Sequence, residues 1–290
     1  MDELEASYAE CKRLNALHGK TYFLATLLLP KAKRPYVHAL YGFARYADEI
    51  VDDLASELSV EEKAHALNTW GEKILADLDR GVSDDAIGRA LIDTVNTFDI
   101  PHAHFEAFLH SMTMDLSVQE YQTYEDLLEY VYGSAAVIGL EMLPVLGVLD
   151  DGAYECAEKL GIAFQLANFI RDVGEDLDRG RIYLPITELA QFGVTREMLE
   201  ERILTPQIIE ALKFQIERVR QLQREAQPGI ALLEAKSRPC IEAASTLYCG
   251  IVDEVEKIGY DIFNKRAKTS TAKRIRVASV AYLKRLTVSN

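Results

Sequence analysis

The stretch YGFARYADEIVDD, residues 41–53, decides how the chain is read. At about 100° per residue, Tyr41, Arg45, Asp48 and Asp52 share one helical face, beside an apolar stripe of Val37, Leu40, Ala44, Ala47, Val51 and Leu54. One edge of this helix is core. The neighbouring edge is polar and looks into something.

A carboxylate pair is weak on its own. With 46 Asp and Glu in 290 residues, about seven i, i+4 acid pairs arise by chance in a helical chain. This one has a counterpart in QLANFIRDVGEDLDRGRIYLP, residues 165–185, where Gln165, Asn168, Asp172 and Asp176 step along one face. Leu160, Ala163, Phe164, Ala167 and Ile170 give that helix its buried side, and Gly180 followed by Pro185 gives its stop signal.

If the two acidic stripes face each other, four carboxylates converge inside an apolar bundle. Like charges at i, i+4 repel, and an unpaired buried carboxylate costs several kcal/mol, so such an arrangement requires cations. Neither stripe contains His or Cys. Oxygen ligands alone favour Mg²⁺ shared with phosphate oxygens over zinc. Arg45 and Arg171, one beside each stripe, suit a diphosphate bridged by those ions.

The rest of the chain fits one all-α domain over residues 1–290. The periodicity is helical nearly throughout, with no alternating strand pattern, no fixed repeat and no Pro-, Gly- or Ser-rich linker. A net charge of −14 argues against a nucleic-acid partner, which needs a basic footprint. Cys11, Cys156, Cys240 and Cys249 have no zinc spacing and read as packing residues of a reducing compartment. MDELEASYAECKRLNAL lacks the apolar core of a signal peptide, so a cytoplasmic chain is expected. AAVIGLEMLPVLGVL, residues 135–149, is too short to span a bilayer and is interrupted by Glu141 and Pro144, the profile of a core helix.

Helices are expected over residues 3–17, 60–79, 84–98, 195–202 and 205–225, with others beginning near Pro101 and Tyr124. His18 and Lys20 make a plausible anion contact. His102, His104 and His110 lie on different faces and give no metal site. The small residues Gly133, Ser134, Ala135, Ala136 and Gly139 leave room beside a helix, for a channel or for close helix contact. Beyond Asp261 there is no acid, while eight Lys and Arg accumulate beside Ile275, Ala278, Tyr282 and Leu286. Such an end reads either as a solvated helix or as a peripheral contact for an anionic membrane.

HGKTYFLATLLLP, YGFARYADEIVDD, YGSAAVIGLEMLPVLG, NFIRDVGEDLDRGRIYLP and LYCGIVDEVEKIGYDIFNKRA together resemble the squalene/phytoene synthase family, and within it the bacterial phytoene synthases, from about residue 14 to 283. The resemblance implies an isoprenoid synthase bundle with a central cavity. It implies that Asp48, Asp52, Asn168, Asp172 and Asp176 bind Mg²⁺, with Mn²⁺ as a substitute. It also implies that His18, Lys20, Tyr41, Arg45, Arg171, Tyr248 and one of Lys265 and Arg266 contact prenyl diphosphate, and that Tyr130 and Gln165 line the reaction centre. Where the family usually reads GVAG, this chain has GSAA at 133–136.

The implied reaction joins two geranylgeranyl diphosphates head to head, through a cyclopropylcarbinyl diphosphate, to phytoene. Relatives that make squalene finish with hydride from NADPH; phytoene formation does not, and the chain has no glycine-rich dinucleotide fingerprint, so NADPH is not expected. The alternatives are coupling of two farnesyl diphosphates to a C30 product, a class I terpene cyclase using one prenyl diphosphate, and a non-catalytic helical protein of the same fold.

Overall fold

The computed structural model describes residues 2–52 and 58–287, and among these it is built from helices and turns with no strand. The helices are α1 (Glu3–His18), α2 (Lys20–Thr26), α3 (Arg34–Asp52), α4 (Val60–Arg80), α5 (Ala86–Phe98), α6 (His102–Ser117), α7 (Tyr124–Val131), α8 (Val137–Leu146) and α9 (Gly152–Asp178). They continue through α10 (Ile186–Gln191), α11 (Arg196–Glu200), α12 (Pro206–Ala226), α13 (Arg238–Tyr248), α14 (Ile251–Lys257) and α15 (Thr271–Thr287). Asp53 and Leu54 lie outside the described residues, and of Asp52 only the backbone, ending α3, is described.

Local chemistry fixes the starts of several helices. Asp2, Ser59 and Thr123 each accept a hydrogen bond from the backbone N–H three residues on, while Glu5, Glu62 and Asp126 reach back to the cap. Two orphan donors are satisfied at each start, worth on the order of 1 kcal/mol per cap.

Two apolar clusters fill the bundle. One gathers α1, α3, α4, α5, α6 and α8 around Phe43, Phe105 and Leu91, all fully buried, with Phe43 edge to face with Phe105 at 5.3 Å and stacked on Trp70 at 5.5 Å. The other gathers α7, α9, α12 and α14, and Ile241 of α13 packs against both. As expected from the stripe pattern, Val37, Leu40, Ala47 and Val51 of α3 are buried. So are Leu160, Ala163, Ala167 and Ile170 of α9.

The small-residue segment between α7 and α8 is a π-turn at Tyr132–Ala136. A Cβ on Gly133 would lie 2.1 Å from the Ala107 carbonyl oxygen and 2.2 Å from Ser111 Oγ, so α6 approaches there as closely as a glycine allows. Gly174 of α9 has a similar role: a Cβ there would meet the Ile262 carbonyl oxygen at 2.7 Å, which brings the segment after α14 down onto α9.

Candidate active site

Two cavities lie between these helices, joined by shared lining from Tyr22, Ser134, Ile138 and Gln165. The polar one, about 420 Å³, has α3 on one wall with Tyr41, Arg45 and Asp48. On the other is α9 with Asn168, Arg171, Asp172 and Asp176. The apolar one, about 260 Å³, continues between α2, α8, α9 and α13. The small residues at 134, 135 and 139 line it and leave room for a channel, while Gly133 serves close contact with α6 and Gly139 also serves close contact with α9, where a Cβ would lie 2.8 Å from the Ala157 carbonyl oxygen.

The acidic stripes therefore face a common space from opposite walls. Arg45 Nη1 donates to Asp48 Oδ2 at 2.6 Å, and its Nε lies 3.8 Å from Glu49. On α9, Arg171 Nε donates to Asp172 Oδ1 at 2.7 Å with a second bond from its Nη2, and Arg266 Nε lies 3.3 Å from the same oxygen. Asp176 sits deeper. Burial first, and then the neighbouring Asp172 charge, push its carboxyl up to about 8 against the opposing pull of Arg179 and Arg181.

Among the described residues, no three His, Cys, Asp or Glu side chains cluster closely enough to hold one ion. The carboxylates are instead distributed over the two walls. The donor set still fits a hard cation: it is all oxygen, it opens onto a cavity wide enough for a phosphate-bearing partner, and Asp176 needs added positive charge to ionise at neutral pH.

A second cluster, which the sequence did not signal, lines the same polar cavity as Asp176. Tyr130 Oη donates to Asp115 Oδ2 at 2.7 Å and Tyr183 Oη donates to Asp115 Oδ1 at 2.9 Å, while Arg181 Nη2 donates to the Asp115 carbonyl at 2.8 Å. Phe169 stacks on Tyr183 at 4.1 Å and 7°, and Tyr130 lies 5.6 Å from Tyr183. Burial, and then the Asp115 charge, raise Tyr130 well above the ordinary phenol range. It is a protonated donor throughout the physiological range. Arg181 and Tyr183 stood in the quoted RIYLP run, but Asp115, 15 and 68 residues from its two tyrosines, carries no local sequence signal.

The remaining expected residues are placed as follows. Gln165 lies at the junction of the two cavities, and Tyr248 lines the apolar one, stacked on Phe164 at 4.9 Å. Arg266, not Lys265, reaches the α9 stripe: Lys265 pairs with Asp261 at 3.3 Å and points away. His18 and Lys20 are exposed and do not line either cavity. They flank Gly19, where a Cβ would lie 2.8 Å from the Tyr41 ring, so they stand at the outer rim beside Tyr41. His102 lies 3.2 Å from Asp79 and His110 lies 3.8 Å from Glu129, in keeping with separate faces.

The sequence pattern of the squalene/phytoene synthase family matches residues 16–273. The chain is 38% identical over 290 residues to a chloroplastic phytoene synthase of Daucus carota, covering 98% of this chain and 72% of that one. It is 36% identical over 293 residues to a 15-cis-phytoene synthase of Synechocystis, covering 97% and 86%. Among solved structures, a dehydrosqualene synthase in complex with a ligand superposes with a TM-score of 0.88 at 29% identity, over 97% of this chain and 98% of that one. A squalene synthase of Alicyclobacillus acidocaldarius gives 0.81 at 27%, over 89% and 96%. With two acidic stripes on facing walls and an apolar channel behind them, the chain belongs to the squalene/phytoene synthase family.

Proposed function

We propose that this chain, as one all-helical unit, condenses two geranylgeranyl diphosphates head to head to phytoene, with Mg²⁺ as its cation and Mn²⁺ as a working substitute. The observation that carries this reading is the joined chamber, with a mouth of carboxylates and arginines opening into an apolar depth. A diphosphate matches the first and a prenyl chain the second.

The depth suits the longer prenyl chain. Along α9 the apolar lining runs from Gln165 to Ala153, which at 1.5 Å per residue is about 18 Å. A geranylgeranyl main chain of about 16 carbons, extended at about 1.2 Å per bond as in an extended polypeptide, spans about 18 Å. A farnesyl chain leaves about a quarter of that length unfilled. The dehydrosqualene synthase neighbour makes the C30 coupling the second reading.

Asp48, Asp52, Asn168, Asp172 and Asp176 would hold the divalent cations, and Arg45, Arg171 and Arg266 would meet the remaining diphosphate oxygens at the same mouth. Bound divalent cations supply the charge that draws the electrons of the breaking C–O bond onto the leaving diphosphate. The apolar lining excludes water from the allylic cation left behind. The aromatic rings of Tyr130, Phe169 and Tyr183 line the adjoining polar cavity, where their π-electrons would meet positive charge.

The double bond of the second substrate then attacks the cation, and loss of a proton from the resulting cation closes the three-membered ring to give a cyclopropylcarbinyl diphosphate. A second ionisation, rearrangement and loss of one proton yield the hydrocarbon, with two diphosphates released in all. No reductant enters this balance, so NADPH is not required. Among the described residues no helix is long and apolar enough to cross a membrane. The reading places the chain in the cytoplasm, working at a membrane edge into which its water-insoluble product passes.

Asp48→Asn and Asp172→Asn, made separately, test the assignment of the stripes. Each is expected to lower turnover by at least about 10³-fold, as removal of a principal charge-stabilising group does, with unchanged far-ultraviolet helicity. Near-normal turnover of either variant in Mg²⁺ would falsify the assignment.

A further inference from the structure

The apolar channel has helical sides and a looped end. α8, α9 and α13 run along it, but the lining furthest from the acidic mouth is Leu29, Leu146, Ala153 and Leu233. These stand where α8 stops, where α9 starts and where the chain approaches α3 and α13. Solvent lies one layer beyond. Leu146 and Leu233 are 2% and 3% exposed, whereas Leu149 is 63% exposed and the Glu234 side chain 51%.

Three connections meet at this end. Two are joined by their backbones: the Leu149 N–H donates to the Leu232 carbonyl and the Glu234 N–H to the Gly147 carbonyl, both at 2.8 Å, around an isolated antiparallel bridge of Val148 and Leu233. Gly147 has φ +85°, and a Cβ there would lie 2.3 Å from Glu234 Cδ, so glycine lets the Glu234 side chain cross the backbone.

The third connection, residues 27–33 between α2 and α3, is tied to the other two by one side chain. Lys33 Nζ donates to the Leu146 carbonyl at 2.7 Å, to Glu234 Oε2 at 2.6 Å and to Ser237 Oγ at 3.4 Å. These partners occupy all three ammonium protons. Leu146 is the last residue of α8, so its carbonyl has no intrahelical partner and sits at the negative end of the helix dipole, where a cation is favoured. Ser237, 0% exposed, donates to the same carbonyl.

We infer that Lys33 is the positioning residue that holds the end of the channel shut and so sets the longest prenyl chain the site accepts. This deepens the proposed function and rests on its reading of the channel as a prenyl site. A helix closes a channel by the bulk of its own side chains, whereas loops close it only while they are held together. Without Lys33 the backbone bonds still join the two later connections, but the 27–33 segment, which brings Leu29 to the lining, loses its tie to both. A chain one isoprene unit longer than geranylgeranyl needs about 5 Å more at about 1.2 Å per bond. An end one layer thick supplies that only if a connection gives way.

The test reads binding apart from turnover. Unreactive C15, C20 and C25 diphosphates, saturated at the first double bond so that no allylic cation forms, are titrated calorimetrically in Mg²⁺ into the wild type, Lys33→Met, Lys33→Arg and Glu234→Ala. The wild type is expected to bind C20 at least about tenfold more tightly than C25, the scale on which an apolar pocket discriminates by size. Lys33→Met keeps the apolar stem, removes the three bonds and should bring that ratio to within about twofold. Glu234→Ala, at a half-exposed position, should move it part of the way, and Lys33→Arg, which retains donors, should stay nearer the wild type. Affinity for C15, which stops short of the end, should be unchanged throughout.

A C25-to-C20 ratio equal in all four proteins, a uniform loss over the three chain lengths, or a wild type that binds C25 as tightly as C20 would each overturn the inference. If Lys33→Met does not fold, the ratio in Glu234→Ala decides. Coupling is read separately: a wild type that binds the C20 analogue but forms no C40 hydrocarbon from geranylgeranyl diphosphate would refute the proposed reaction, while the binding ratios still decide the role of Lys33.

Discussion

Replacing Glu141 with methionine, a change from a charged to an apolar side chain in the core, is expected to make the protein more stable. Glu141 is 0% exposed on α8, between Val137 and Val145 of the same face, both also 0% exposed, and neither carboxyl oxygen has a hydrogen-bond partner. Burial raises its carboxyl well above the usual carboxylate range. A buried polar group without a partner costs about 1–3 kcal/mol, and methionine fills a similar volume with an adaptable apolar chain. Glu141→Met should therefore gain about 2 kcal/mol near pH 5, or about 4 °C in Tm for a chain of this size, and more toward neutral pH.

The pH dependence supplies the sharper test. A group whose folded-state value is raised above its unfolded one gives stability that is fully present below the unfolded value and is lost as pH rises. The wild type should lose stability relative to Glu141→Met by about 1.4 kcal/mol per pH unit above about 5, until the folded carboxyl ionises. Thermal melts followed by circular dichroism from pH 5 to 8 measure both effects. Parallel curves, or a methionine variant less stable throughout, would show that the carboxyl is satisfied where it sits.

Three other outcomes follow from particular contacts. Asp115→Asn cannot accept from both Tyr130 and Tyr183 at its side chain; it should cost about 1–3 kcal/mol and lower turnover about 10²-fold through misplacement of Tyr130. Kinetics and melts would contradict this if both stayed at wild-type values. Gly133→Ala drives a methyl to 2.1 Å from the Ala107 carbonyl and should cost about 1–3 kcal/mol by overpacking, where a neutral melt would show that α6 yields freely.

His38, 3% exposed and bonded to Asn15, is pushed down to about 4 by burial and then by Lys12 and Arg34. Its depressed value gives stability that is present above about 6.5 and lost as pH falls through 4, in total about 3 kcal/mol. A His38→Gln variant should lack that part of the acid limb of a Tm–pH curve, and an unchanged limb would refute it.

The parts of the fold that were legible in the sequence are those where the signal is local. The stripes of α3 and α9 repeat every three or four residues, so periodicity places Val37, Leu40, Ala163 and Ala167 in the core and Asp48 and Asp172 beside it. Helix starts were legible for the same reason, since Ser59 and Glu62 are only three residues apart. The aromatic cluster on Asp115 was not, because it joins α6 to residues in α7 and after α9 across long stretches of chain.

Which of Lys265 and Arg266 lies beside Asp172 likewise depends on packing rather than on local sequence. The approach of Ile262 to Gly174 sets which of two adjacent side chains turns toward Asp172. The amphipathic pattern of α15 was legible, but its packing on α13 through Val277 and Ala281 was not.

The central claim is tested most directly by product analysis. Purified protein is incubated with Mg²⁺ and either geranylgeranyl or farnesyl diphosphate, with and without NADPH, and the apolar extract is analysed by mass. The account predicts a C40 hydrocarbon from geranylgeranyl diphosphate, formed equally without NADPH and lost on chelation. A C30 product from farnesyl diphosphate with no coupling of the longer substrate would contradict the chain-length assignment, and a cyclic C15 or C20 product would contradict the coupling reaction itself.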